Sequence, residues 1–333
     1  MFSRDIGIDL GTANVLIHVK GKGIVLDEPA IIALDRDTGK VLEVGAEAYR
    51  MIGRTPGNIK AIRPLKEGVI ADFDLTEAML RHFIDKIRVK GFFTKPRMLI
   101  CCPTNITKVE QKAIKQAAEK SGGRRVYLEE EPKVAAIGAG MEIHQPSGNM
   151  VIDIGGGTTD VAVLSMGNIV TSESIKIAGD NFDAAILQYI KDEHKMLIGE
   201  RTAEEIKMNV ATVFPKSRDT QMDIRGRDMV SGLPRTITTS SDEIEQALHD
   251  SVDEIVRAAK VTLERTPPEL SADIIDRGVI LTGGGALVHG FPQLLSEELK
   301  VPVFLAEEAQ SCVASGTGIL LENMGRRQKR NIV

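Results

Sequence analysis

Two stretches of the chain carry the same pattern of apolar and polar positions. Residues 5–19 read DIGIDLGTANVLIHV, and residues 150–166 read MVIDIGGGTTDVAVLSM. In each, a β-branched run reaches an aspartate, a glycine turn with threonine follows, and a second alternating run leads away. That pattern predicts two β-hairpins about 145 residues apart, hence two similar domains. Elsewhere the period is helical. Glu77–Val89 repeats apolar residues at Ala78, Leu80, Phe83, Ile84 and Ile87. Val109–Lys120 predicts a second helix capped by Thr107, and Asp242–Leu263 a long amphipathic one that stops before Pro267-Pro268. A strand-like run, Arg277–Leu281, enters a third glycine turn at 282–287 and then a helix over roughly 291–299, after Pro292. RTAEEIK (201–207) reads as a helix start, with Thr202 and Glu205 at capping-box spacing.

Glycine is costly in conformational entropy, so VIDIGGGTTD (151–160) needs a reason for three in a row. Exposed amides in a tight turn can cradle an anion, most often phosphate. Thr158 and Thr159 add hydroxyls. Asp153 and Asp160 would repel phosphate unless a cation stood between, and Mg²⁺ held through its waters fits that role. Alone, the stretch favours phosphate, with an ordinary glycine-rich hairpin turn as the alternative. Its partner Asp9-Leu10-Gly11-Thr12 matches Asp153-Ile154-Gly155-Gly156, and two such turns facing one nucleotide strengthen the phosphate reading. The third turn has no following aspartate and suits a less charged part of a ligand. Glu204 and Lys207 share a helix face, where they either hold ribose hydroxyls or pair with each other.

Composition narrows the class. A chain of 333 residues with 42% apolar and 27% charged residues is expected to be a soluble globular protein of two domains. The net charge of −5 argues against general nucleic-acid binding. MFSRDIGIDL lacks the apolar core of a signal peptide, and no run of 18 apolar residues occurs. Cys101, Cys102 and Cys312 fit a reducing cytoplasm, and six scattered histidines do not make a zinc site.

Five motifs then form an ordered set: DLGTAN (9–14), EEPKVAAIGAG (130–140), DIGGGTTD (153–160), LTGGGAL (281–287) and VASGTG (313–318). In this order they resemble the actin, Hsp70 and sugar-kinase superfamily. NIKAIRPLKEGVIADF, TPPELSADIIDRG and RGRDMVSGLPR resemble bacterial actins of the MreB family, and CCPTNIT and YLEEEPKVAAIGAGME its Mbl (MreB-like) branch. The resemblance covers 1–325. It implies an α/β actin-like ATPase fold, with two lobes of RNase H-like topology and four subdomains around a nucleotide cleft. Subdomain IA would take 1–32, 66–146 and the C-terminal part and basic tail at 317–333. IB would take 33–65, IIA 147–181 and 251–316, and IIB 182–250.

The resemblance also implies ATP with Mg²⁺. Thr12, Ala13 and Asn14 would contact phosphates from one lobe, and Gly156, Gly157 and Thr158 from the other. Asp9 and Asp153 would orient the hydrated ion, and Glu204 and Lys207 would meet the ribose or adenine. Gly284, Gly285, Ala286 and Leu287 would line the adenosine. Glu131, the acid before Pro132, would orient and deprotonate the attacking water, with Thr159 assisting. Pro132 is expected to keep Glu131 out of helical geometry and to start a helix over 133–140. Asp160 stands where many relatives carry glutamate.

KIRVKGFFTKPR (86–97) places Phe92 and Phe93 in a turn among Lys86, Arg88, Lys90, Lys95 and Arg97. From the residues alone, the two rings either fold into the core or enter a membrane; the family resemblance implies a membrane-inserting loop. It further implies head-to-tail filaments paired antiparallel, a peripheral place on the inner face of the cell membrane, and work with the transmembrane elongation machinery and MreB-type paralogues. The implied role is control of rod shape by organising lateral wall synthesis, with slow ATP hydrolysis serving filament dynamics. The alternatives are a small-molecule kinase of the same superfamily, an Hsp70-like chaperone, and a polymer without appreciable ATPase.

Overall fold

The structure, a computed structural model, describes residues 5–54, 57–87 and 95–330, with side chains to residue 324. Lobe I opens with a meander of β1 (Ile6–Leu10), β2 (Asn14–Val19) and β3 (Gly23–Pro29). A three-stranded sheet of Ile32–Asp35, Val41–Val44 and Ile59–Ile62 follows, with helix α1 (Ala46–Met51) packed on it. Then come α2 (Phe73–Ile87), β4 (Arg97–Cys102), α3 (Lys108–Lys120), β5 (Arg125–Glu130) and α4 (Glu131–Gly138). Lobe II repeats the plan with β6 (Asn149–Ile154), β7 (Thr159–Ser165), β8 (Asn168–Ile175), α5 (Gly179–His194) and α6 (Glu200–Asn209). A small sheet built round the hairpin of Gln221–Asp228 and Pro234–Ser240 stands beyond them. The chain closes with α7 (Ser241–Glu264), α8 (Pro268–Arg277), β9 (Val279–Thr282), α9 (Phe291–Leu299), β10 (Val303–Leu305) and α10 (Cys312–Arg330).

The two main sheets have one topology. Lobe I orders its strands β5-β4-β1-β2-β3, and lobe II β10-β9-β6-β7-β8. In each, a three-stranded antiparallel meander continues into two parallel strands. The hairpins predicted from alternation are β1–β2, last paired at Leu10 and Val15, and β6–β7, last paired at Ile154 and Thr159. Each lobe has its own core. Phe83, Met79 and Ile8 lie in one, and Phe182, Phe291 and Ile255 in the other.

A third, smaller core joins the lobes. It holds Cys101 from β4, Val134–Ile137 from α4, Val151 from β6, Leu164 from β7 and Val313 from α10. Helices α4 and α10 meet here at glycines. A Cβ on Gly138 would collide with the Cys312 carbonyl, and one on Gly316 with the Val134 carbonyl. Two helix backbones thus touch without side chains between them, which sets the spacing of the lobes.

Three expectations change. Helix α4 begins at Glu131, with Pro132 in its first turn, and ends at Gly138. A proline there lacks only an N–H that has no intrahelical acceptor, so Glu131 is helical. Thr202 is no cap, because α6 starts at Glu200 after an extended Gly199. Helix α2 begins at Phe73, a turn earlier than the apolar spacing marks. By contrast, Thr107 caps α3 in a full capping box with Glu110.

The helix crossing yields a test. Gly138→Ala is expected to lower the unfolding free energy by about 1–3 kcal/mol, measured by urea denaturation. Gly57→Ala, where a Cβ would meet nothing within 4 Å, should leave it nearly unchanged.

Candidate functional site

A cavity of about 540 Å³ lies between the lobes. The two hairpin turns meet at its base. A Cβ on Gly156 would stand 2.6 Å from the Ala13 Cβ, and one on Gly157 2.5 Å from Thr12 Oγ1. Gly155, Gly156 and Gly157 all have negative or extended φ. Gly156 and Gly157 are therefore required by the approach of the opposite turn, not by left-handed backbone. Thr12, Ala13 and Asn14 line the cavity from lobe I, and Gly155, Gly156, Gly157 and Thr158 from lobe II. The start of α5 is tied to the second turn, since Gly179 N donates to Gly155 O (3.1 Å) and Asp180 N to Gly156 O (2.7 Å). Gly283, Gly284, Gly285 and Leu287 form a further wall. Here one glycine does need its freedom: Gly283 has φ +87°, and its backbone packs on Ile154.

Carboxylates crowd the base. Asp9 and Asp153 occupy equivalent places near the ends of β1 and β6. Burial pushes Asp9 up to about 8, helped by the charges of Asp153 and Asp27. Burial raises Asp153 to about 6, against the Thr282 hydroxyl, which donates to it at 2.7 Å. Glu131, buried at the start of α4, is held well above the usual carboxylate range by burial and then by Asp160, Asp9 and Asp153. Asp160 is raised by burial, opposed by the Thr104 amide (3.1 Å) and hydroxyl (2.9 Å) reaching over from lobe I. Each charge acting on Asp9 and Glu131 is another carboxylate. Such a cluster fits a cation. Among the described residues no group of three or more His, Cys, Asp or Glu is placed to hold a metal directly. An ion held through its own waters by Asp9 and Asp153 is the arrangement that fits.

Glu204 and Lys207 both reach the cavity from α6. They do not pair with each other. Lys207 Nζ binds Asp183 Oδ2 (2.8 Å) and the Gly179 carbonyl (3.2 Å), while Glu204 accepts from the Tyr49 hydroxyl. The structure does not bring two expected residues to the wall. Thr159 is fully buried and its hydroxyl donates to Ile177 O at 2.7 Å. Ala286 is buried in the core of lobe II. Asp180, Asp183 and Arg63 line the cavity and were not singled out in the sequence. The first two stand three residues apart in the first turns of α5, in GDNFD, a few residues after a strand, and that placement was the available signal.

Phe92 and Phe93 lie outside the described residues. Among the described basic residues beside them, Lys86, Lys95 and Arg97 all have partners. Lys86 pairs with Glu28, and Arg97 Nε donates to Asp5 Oδ1 at 2.9 Å. The expected basic collar is reduced accordingly.

A family model described as MreB/Mbl protein matches residues 3–329. The cell shape-determining protein Mbl of Bacillus subtilis (strain 168) is 75% identical over 332 residues, spanning 100% of each chain. The crystal structure of MreB 5 of Spiroplasma citri bound to AMPPNP superposes with a TM-score of 0.94 at 38% identity, covering 99% of each chain. A MamK chain from a double helical filament shares the fold, with a TM-score of 0.80 at 18% identity over 96% of this chain and 99% of that one. The fold is actin-like.

The acidic cluster sets a pH dependence. Asp9 titrates near 8 when folded against 3.8 for the free side chain. The folded state therefore binds the extra proton, and its contribution to stability, full below pH 3.8, is lost as pH rises through 8. Asp9→Asn is expected to stabilise the ligand-free protein above pH 8 by about 1–3 kcal/mol and to flatten the decline below it. Denaturation across a pH series measures both.

Proposed function

The chain belongs to the MreB/Mbl family, and on that premise we propose that it is an ATP-binding cytoskeletal protein. It polymerises on the inner face of the cell membrane and controls rod shape by organising lateral wall synthesis. The observation that carries this reading is the meeting of two equivalent glycine turns, one from each lobe, over a cavity floored by buried carboxylates. The similar Mbl protein is named cell shape-determining, and the similar MreB 5 holds a nucleoside triphosphate analogue.

The amides and hydroxyls of Thr12, Ala13 and Asn14 hold the phosphates from lobe I, and those of Gly156, Gly157 and Thr158 from lobe II. Asp9 and Asp153 hold the hydrated Mg²⁺. When bound, the ion neutralises phosphate charge and polarises the γ-phosphoryl group. Gly284, Gly285 and Leu287 face the adenosine, with Ala286 packing behind them. Glu204 offers its second oxygen to the ribose, and Lys207 braces Asp183. Glu131 orients the attacking water. Burial first, and then its carboxylate neighbours, hold its pKa well above the usual carboxylate range. A cation that neutralises those neighbours lowers it toward the range in which the carboxylate can accept the water's proton.

Subunits join head to tail, and protofilaments pair antiparallel. Phe92 and Phe93 enter the lipid, each contributing ~2–3 kcal/mol. One subunit binds weakly, and a filament presenting many loops binds firmly. Polymer and membrane attachment thereby reinforce each other, and the transmembrane elongation machinery meets a filament already on the bilayer.

Pelleting with and without liposomes, with ATP·Mg²⁺ or no nucleotide, and negative-stain imaging test the reading. Paired filaments on lipid with ATP are expected. Phe92→Ala with Phe93→Ala should abolish liposome pelleting while polymer still forms. Glu131→Gln should lower ATP turnover by about 100-fold and leave nucleotide binding intact. A protein that stays monomeric and off lipid in every condition would favour phosphoryl transfer to a small acceptor instead.

A further inference from the structure

Tyr49 reaches across the cleft. It stands on α1 in lobe I, and its hydroxyl donates to Glu204 Oε2 on α6 in lobe II. Arg201, on the same helix, holds its guanidinium carbon 5.3 Å from the centre of the Tyr49 ring, a cation–π distance. Burial and the Glu204 carboxylate push the Tyr49 hydroxyl up to about 12, so it remains a donor at physiological pH. A second cavity of about 220 Å³ has Tyr49 and Arg201 in its wall, neither of which lines the central cavity. Arg63, Asp180, Asp183 and Glu204 line both. The two cavities therefore adjoin, and the Tyr49–Glu204 contact stands where they meet.

Only one oxygen of Glu204 is taken by Tyr49. The contact fixes the carboxylate rotamer and leaves Oε1 for a ligand. Its donor comes from the opposite lobe, so it survives only while the lobes are together. We propose that Tyr49 is a positioning residue of the nucleotide site, which acts through Glu204 and makes nucleotide retention depend on lobe closure. The inference rests on the nucleotide reading above and adds a residue to it. When α1 withdraws, Glu204 loses its donor and its fixed rotamer together, and the ligand loses a held acceptor.

Tyr49→Phe keeps the ring and its stacking on Arg201 and deletes only the hydroxyl. The full-length protein is loaded with radiolabelled ATP and Mg²⁺, chased with excess unlabelled ATP, and sampled on filters. Unmodified nucleotide is used so that the ribose hydroxyls stay free. Release is expected to quicken roughly three- to tenfold in Tyr49→Phe. Glu204→Gln should quicken it too, and the double variant should release no faster than Glu204→Gln alone. Unchanged release in Tyr49→Phe, or two effects that multiply in the double variant, would overturn the proposal and leave the nucleotide reading standing. A wild-type protein that retains no label would overturn both.

Discussion

Two helices cross between the lobes with their backbones in contact, and the rest of the site depends on that crossing. Gly138 of α4 packs on Cys312 and Gly316 of α10, and Gly316 packs on Val134. Side chains at these points would separate the helices, and with them the two sheets that they join through Val134–Ile137 and Val313. At that spacing the two hairpin turns touch. Gly156 meets Ala13 and Gly157 meets Thr12. One close approach permits the next, and the cavity is the space left beside them.

The carboxylates are the cost of this arrangement. Asp9, Asp153, Asp160 and Glu131 come from both lobes into one buried region, where each raises or is raised by another. Hydrogen bonds from Thr282 and Thr104 offset part of this. What remains favours a cation, and a cation favours phosphate. An empty cleft of this kind is destabilised by the groups that suit it to a charged ligand, which is the trade commonly found at functional sites. The lobes are also linked directly, by Tyr49 to Glu204 on one pair of elements and by Thr104 to Asp160 on another. On the proposed nucleotide reading, ligand and lobe contacts would act on the same side chains, which would couple occupancy to closure through local chemistry.

What was legible in the sequence was local. Alternation over a few residues marked both hairpins, and Thr107 with Glu110 marked the start of α3, because each signal lies within one element. Gly156 and Gly157 were legible as a requirement but not for their reason. A turn packed on another turn some 145 residues away leaves no local trace. The same holds for Lys207, whose partner Asp183 sits on another helix, and for Tyr49, which meets Glu204 across 155 positions. Thr202 shows the converse failure: spacing alone fitted a cap, while Gly199 in extended backbone already began the helix. The basic residues around Phe92 and Phe93 looked alike as a row of charges. Only folding shows that Lys86 answers Glu28 and Arg97 answers Asp5.

The most direct test of the central claim is a crystal structure with a nonhydrolysable ATP analogue and Mg²⁺. The account predicts phosphates between the Thr12–Asn14 and Gly156–Thr158 turns, with the ion's waters on Asp9 and Asp153. Phosphates held by one turn alone, or a nucleotide outside the interlobe cavity, would contradict it.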